Sequence, residues 1–303
     1  MQFCRFRWPG RGPGLGVLRE GAAPGDAIVA DLGAAGREEV DSPLPWLRRL
    51  ARGGAAAEGE LARLAAAAPA AGTLAELERH GLLLPPVHAP EVWAAGVTYE
   101  RSRDARDRET QAATAGASPY DRVYAAARPE LFLKATAWRV TGPGGPVGLR
   151  GDSRWQVPEP ELGLVLDQDG TILGYTLGND MSSRDIEGDN PLYLPQAKIF
   201  RHSCSLGPVV LAAGEAAGGF AIACTVRRGG QEVWRGTAHT GQMRRPFAEL
   251  VAYLVRYNWI QPGTVLLTGT GTVPPDDFTL AAGDEIEISS PAIGALRNVV
   301  TPA

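Results

Sequence analysis

Two strand-like runs, Glu161–Leu166 and Thr171–Leu177, flank the tetrapeptide Asp167–Gly170 (DQDG), and this pairing constrains the fold more than any other stretch. Turn residues ending in Gly between two such runs predict an antiparallel hairpin. Within it, Leu162, Leu164 and Leu166 alternate onto one face, suited to a core. Glu159 and Glu161 are two residues apart and leave the other face. Pro158 and Pro160 donate no backbone hydrogen bonds, so this strand end is expected to be an edge or a bulge. Folding back around residues 168–169 brings positions 178–180 opposite 157–160, and Asp180 returns beside Glu159.

Three carboxylates at one sheet end repel by about 4 kcal/mol per close pair at an effective dielectric near 20. They must be solvated, protonated or bridged by a cation. A solvated acidic rim satisfies the spacing equally well. The apolar flanks weigh against it: Val157, Leu162 and Leu164 before, Tyr175, Leu177 and Met181 after. All-oxygen donors with open positions suit Mg²⁺ or Mn²⁺, and no His or Cys joins the group to favour zinc. Lys198 could orient a carboxylate or exchange a proton, or simply pair with Asp185 or Glu187. Arg184 has the same two options. Asp185, Glu187 and Asp189 fit surface loop charges. The turn LLTGTGTVPP (Leu266–Pro275) lacks the Lys-Ser/Thr of a phosphate loop; a hydroxyl or N–H there could hold a substrate carboxylate.

The rest of the chain predicts a β-rich, mixed α+β protein. Short strands (Gln2–Trp8, Gly16–Glu20, Ala27–Asp31) precede an Ala-rich helical stretch from Pro45 to Leu84. Pro85–Pro86 marks a boundary, dividing a small N-terminal α+β domain (1–85) from a catalytic domain (86–303). Glu91–Gly96 reads as buried, Arg101–Ala126 as helical, and Leu131–Lys134, Phe220–Arg227, Gln231–Arg235, Thr264–Thr268 and Glu285–Ser289 as strands. A helix from Pro246 places Phe247, Leu250, Val251 and Leu254 on one face. Strands and helices do not alternate regularly, which argues against a parallel α/β fold.

At 303 residues the chain can bury roughly three quarters of its unfolded surface. A formal charge of −4 leaves no basic excess for nucleic acid. Three cysteines without CxxC spacing fit a reducing compartment. No signal segment and no run of about 18 apolar residues is present, so no membrane partner and a cytoplasmic location are expected.

The order of these motifs resembles the fumarylacetoacetate hydrolase superfamily. The resemblance rests on VPEPELGLVL, GYTLGNDMSSRDIEGDNPLYLPQAKIF, VWAAGVTY (Val92–Tyr99), LFLKAT (Leu131–Thr136), the TGTG turn, GDEIEI and LRNVV. It implies a mixed β-sandwich roll behind a small N-terminal domain, assembled as a homodimer or homotetramer. It implies that Glu159, Glu161 and Asp180 are the metal ligands, Lys198 the active-site lysine, and Thr270 a contact of the substrate carboxylate. Hydrolases of the superfamily carry a His and a Glu just after the GxxY segment. Here GVTYERSRDAR puts Ser102 and Ala105 at those positions, leaving no evident water activator. The block SSRDIEGDNPLYLPQAK is similar to that of the 2-keto-3-deoxy-D-arabinonate dehydratases, which implies a Mg²⁺-dependent lyase acting on a 2-oxo sugar acid. Lys198 and Arg184 are then the expected catalytic groups, and Tyr99, Arg101, Ser102 and Thr270 the expected substrate contacts, under a lid formed by Thr98–Ala126. C–C hydrolysis of an acylpyruvate or a fumarylacetoacetate-like substrate is the alternative reaction.

Overall fold

The computed structural model describes residues 1–8, 10–21, 27–34, 41–102, 119–215 and 219–303. The predicted hairpin forms its centre. Strand Pro160–Leu166 pairs antiparallel with strand Ile172–Asp180, with Pro160 opposite Asn179 and Glu161 opposite Gly178. The second strand runs three residues beyond the predicted end, so Asp180 itself lies on it. The turn closes through Asp167 N–H to Thr171 O (2.9 Å), with Gly170 at φ 84°. Arg48 grips the turn by donating from Nε to Asp167 Oδ2 at 2.9 Å and from Nη2 to Oδ1 at 2.5 Å.

These strands sit inside a 12-stranded mixed sheet. Pro160–Leu166 is flanked on its other side by Val265–Leu267, which runs parallel to Glu91–Gly96, itself paired with Glu130–Thr136. In the other direction, Ile172–Asp180 pairs with Cys204–Ala212, and that strand pairs with Gln2–Trp8. Residues 1–85 and 86–303 therefore share one sheet. A second, five-stranded sheet contains Ala221–Arg228, Gln231–His239, Glu285–Ser290, Gly294–Pro302 and Pro146–Leu149.

Strand alternation sorts the core into two layers. Leu162, Leu164 and Leu166 face the second sheet, packing with Ile222, Val226, Ile286 and Ile288 and with Leu250 and Leu254 of helix Phe247–Leu254. On the opposite face, Val165, Val210 and Val265 pack against Trp46, Leu47 and Leu61 of helix Leu44–Ala67. The architecture is a β-rich, mixed two-sheet sandwich with helix Leu44–Ala67 on the outer face of the larger sheet.

Two expectations need correction. The helical stretch Pro45–Leu84 is four elements: helix Leu44–Ala67, kinked at Gly54 (φ 45°, ψ −135°), strand Ala70–Thr73, helix Leu74–Arg79 and strand Leu83–Leu84. Pro69 forces Ala68 into extended backbone (ψ 142°) and ends the first helix. The third element starts at a capping box, in which Glu76 N–H donates to Thr73 Oγ1 and Thr73 N–H to Glu76 Oε2. The proline-flanked strand end is a break between two ladders rather than an edge. Gln156–Val157 pairs with Ser182–Ser183 as a separate ribbon, and Glu159 lies between that ribbon and the main sheet. Of the expected helix and lid across Arg101–Ala126, residues 103–118 lie outside the described residues; Pro119–Ala125 is helical.

Candidate functional site

Backbone hydrogen bonds across the ladder break bring the carboxylates together. Asp180 N–H donates to Glu159 O (2.9 Å), and Glu159 N–H donates to Asn179 Oδ1 (3.2 Å). Glu159, Glu161 and Asp180 are all buried, and one carboxylate oxygen from each lies within 4.8 Å of the others. The TGTG turn fixes the third acid. Gly269 has φ 93°, and a Cβ there would fall 2.1 Å from Thr98 Oγ1, so only glycine fits. Its N–H donates to Glu161 Oε2 at 2.6 Å.

Cations surround two of the three acids. Arg184 Nη2 lies 2.9 Å from Glu159 Oε1, and Lys198 Nζ donates to Glu159 Oε2 (2.7 Å), Ser182 Oγ (2.6 Å) and Asp180 Oδ2 (3.3 Å). Lys134 Nζ sits 2.6 Å from Asp180 Oδ1, an ion pair outside hydrogen-bond geometry, while donating to Met181 O and Lys198 O. Glu161 makes no ion pair among the described residues. Burial first, then the charges of Asp180 and Glu159, push its carboxyl well above the usual range; Lys198 and the Gly269 N–H pull the other way. Asp180 Oδ1 has no hydrogen bond.

A small cavity opens onto this cluster. Its wall includes Ser102, Glu130, Glu187, Lys198 and Thr270 together with the three acids. Among the described residues the site thus gathers five carboxylates (Glu130, Glu159, Glu161, Asp180, Glu187) and three cations (Lys134, Arg184, Lys198). Three clustered oxygen donors and their deep burial fit one hard divalent cation.

Of the expected substrate contacts, Ser102 and Thr270 are buried in the cavity wall. Thr270 Oγ1 donates to Thr272 O at 3.1 Å. Tyr99 is buried, its ring 2.8 Å from where a Cβ at Gly271 would lie; burial and then Glu161 raise its phenol pKa. Arg101 is exposed. Arg184 and Lys198 turn inward to the metal-ligand candidates. Asp185 pairs with neither: it accepts from Ser153 Oγ and the Arg154 N–H.

Three members went unassigned from sequence. Lys134 is fully buried, and its signal was a lone charge in the apolar run LFLKAT. Glu130 stands opposite Gly96 across the ladder, and a Cβ on Gly96 would lie 2.1 Å from Glu130 Oε2. Glu187, read as a loop charge, is 2% exposed on helix Arg184–Asp189. Its three-residue spacing from Arg184 was the available clue.

Residues 91–301 match the family described as Fumarylacetoacetate (FAA) hydrolase C-terminal. A probable 2-keto-3-deoxyxylonate dehydratase of Haloferax volcanii is 46% identical over 227 residues, covering 74% of this chain and 76% of that protein. A 2-dehydro-3-deoxy-D-arabinonate dehydratase of Saccharolobus solfataricus is 43% identical over 219 residues, covering 72% of each. The solved structure of a 2-keto-3-deoxy-D-arabinonate dehydratase complexed with magnesium and 2,5-dioxopentanoate superposes with a TM-score of 0.80 at 31% identity, covering 100% of this chain and 99% of that one. This chain belongs to the fumarylacetoacetate hydrolase family.

Proposed function

We propose that the protein is a Mg²⁺-dependent hydro-lyase that converts a 2-keto-3-deoxy pentonate into 2,5-dioxopentanoate and water. The buried Glu159–Glu161–Asp180 trio at the cavity carries this reading, in a chain so similar to dehydratases. The likeness to a complex with magnesium and 2,5-dioxopentanoate supports both the ion and the product. Glu159, Glu161 and Asp180 hold Mg²⁺, and Mn²⁺ fits the same donors. When bound, the ion supplies Lewis-acid polarisation of the 2-oxo acid's carbonyl, which acidifies the C3 protons.

The remaining work falls to the chain's own groups. Arg184 and Lys198 hold Glu159 in place. Glu130, half-buried in the cavity wall, accepts a C3 proton at its carboxylate. Lys198 Nζ, buried in the same wall, supplies a proton to the departing C4 hydroxyl, which leaves as water with formation of a C3=C4 double bond. A proton then leaves C5 and one returns to C3. The resulting C4=C5 enol ketonises to the C5 aldehyde. The Ser102 and Thr270 hydroxyls bind substrate from the wall, Arg101 meets it at the exposed rim, and Tyr99 backs the turn that carries Thr270.

Ser102 stands where the resemblance puts the hydrolases' histidine, which favours dehydration over C–C hydrolysis. Free, buried Cys4, Cys204 and Cys224 support a reducing, cytoplasmic setting. Among the described residues no helix is long and apolar enough to cross a membrane. Assembly as a homodimer or homotetramer is the state that the family resemblance implies. Incubation with Mg²⁺ and 2-keto-3-deoxy pentonates or hexonates, beside an acylpyruvate control, tests the reaction: pentonate turnover supports dehydration, and pyruvate release from the acylpyruvate alone refutes it.

A further inference from the structure

We infer that Glu187 sets substrate specificity by accepting a hydrogen bond from the C5 hydroxyl of the sugar acid. This rests on the dehydratase reading above.

Glu187 lies on helix Arg184–Asp189, three residues after Arg184, so both side chains leave the same helical face. Arg184 Nη2 meets the ligand candidate Glu159 at 2.9 Å, which fixes that face toward the acidic trio. Three residues further along the helix is a rise of about 4.5 Å. Glu187 lines the same cavity as the acidic trio, offset along the helix from the residue that meets Glu159. On this inference a five-carbon chain, anchored at the trio through C1 and C2, runs its C4–C5 end toward Glu187.

The helix is pinned at its start. Arg184 N–H donates to Trp155 O (2.8 Å), and the Asp185 carboxylate accepts from Ser153 Oγ (2.6 Å) and from the Arg154 N–H (2.7 Å). Glu187 is thus presented from a fixed element, as a specificity contact requires. An ionised carboxylate only accepts hydrogen bonds. It repels a second anionic group and selects a donor, and the tail of a 2-keto-3-deoxy pentonate offers hydroxyl donors. The same property favours turnover: the substrate's C5 hydroxyl donates, whereas the C5 aldehyde of 2,5-dioxopentanoate cannot, so the contact is lost as product forms.

The test is a substrate–variant cycle with the full-length Mg²⁺-loaded protein. The wild type, Glu187→Gln and Glu187→Ala are assayed on 2-keto-3-deoxy-D-arabinonate and on 4-hydroxy-2-oxopentanoate, which lacks only the C5 hydroxyl. Inhibition by 2-oxobutyrate, which lacks both hydroxyls, reports on the metal end. A hydrogen bond to a charged group predicts that the wild type prefers the hydroxylated substrate about 10- to 100-fold in kcat/KM. Glu187→Ala should erase that preference, Glu187→Gln should keep part of it, and 2-oxobutyrate inhibition should be unchanged in both. A preference that persists in Glu187→Ala overturns the inference, as does a parallel loss of 2-oxobutyrate inhibition, which would make the residue structural. If the wild type turns over neither substrate, it is the dehydratase reading that fails.

Discussion

Lys134 Nζ lies 2.6 Å from Asp180 Oδ1, with both side chains essentially excluded from solvent. The same ammonium donates to the Met181 and Lys198 carbonyls, so one lysine ties a metal-ligand candidate to the backbone of the lysine beside it. Removing one partner of a buried pair strands the other charge and costs about 3–5 kcal/mol. Lys134→Met should therefore lower unfolding stability by about that amount in urea titration of the metal-free protein. An unchanged midpoint would show that the pair contributes nothing.

Gly96 makes room for Glu130. A Cβ at position 96 would fall 2.1 Å from Glu130 Oε2, the end of a flexible side chain that can swing aside. Gly96→Ala should fold with a stability change below about 1 kcal/mol yet lose at least about tenfold in kcat, because the displaced carboxylate no longer meets the substrate's C3 proton. Parallel measurement of the urea midpoint and kcat decides: wild-type turnover would remove Glu130 from the proton-transfer role.

Glu161 should give the metal-free protein a distinctive pH profile. Its carboxyl is raised above the ordinary value of 4.5, so the native state binds more protons than the unfolded state above that pH. Stability of the metal-free protein then falls as pH rises from about 4.5 through the raised native value. Glu161→Gln should flatten that slope. Mg²⁺ should bind more tightly as pH rises, because the proton must leave before the carboxylate can ligate. Urea titrations between pH 4.5 and 8, with and without EDTA, read both effects; a metal-free wild type that gains stability across this range would reverse the assigned sign.

Much of the site was legible because a strand's period of two is rigid. Once Asp167–Gly170 is read as a hairpin turn, the pairing of Glu159 with Asp180 follows from register, and the structure shows it in the Asp180 N–H to Glu159 O bond. Pattern could not show which loop charges turn inward. Glu187 and Lys134 owe their burial to packing among distant segments, and Glu130 to the missing Cβ of Gly96, whose strand is 34 residues earlier in the chain. The helix boundaries failed for a local reason: an Ala-rich composition masked Pro69, the one residue that ends the helix.

Metal binding and proton transfer should separate by mutation. Lys198→Ala removes an ammonium from Glu159, Asp180 and Ser182 while leaving the three acids intact. It should retain a Mg²⁺-dependent rise in melting temperature and lose about 10²- to 10⁴-fold in kcat. Glu130→Gln should do the same. Glu161→Gln, in contrast, should lose the Mg²⁺-dependent rise itself. Thermal scans with and without Mg²⁺, paired with turnover, distinguish the two classes, and retained turnover in Lys198→Ala would defeat its proposed role.

The most direct measurement follows 2,5-dioxopentanoate formation from 2-keto-3-deoxy-D-arabinonate by the purified protein, with Mg²⁺, with EDTA, and in Glu161→Gln. Product is expected with Mg²⁺, none with EDTA, recovery when Mg²⁺ is restored, and none from the variant. Product formation at an undiminished rate in EDTA or in Glu161→Gln would contradict Mg²⁺-dependent dehydration.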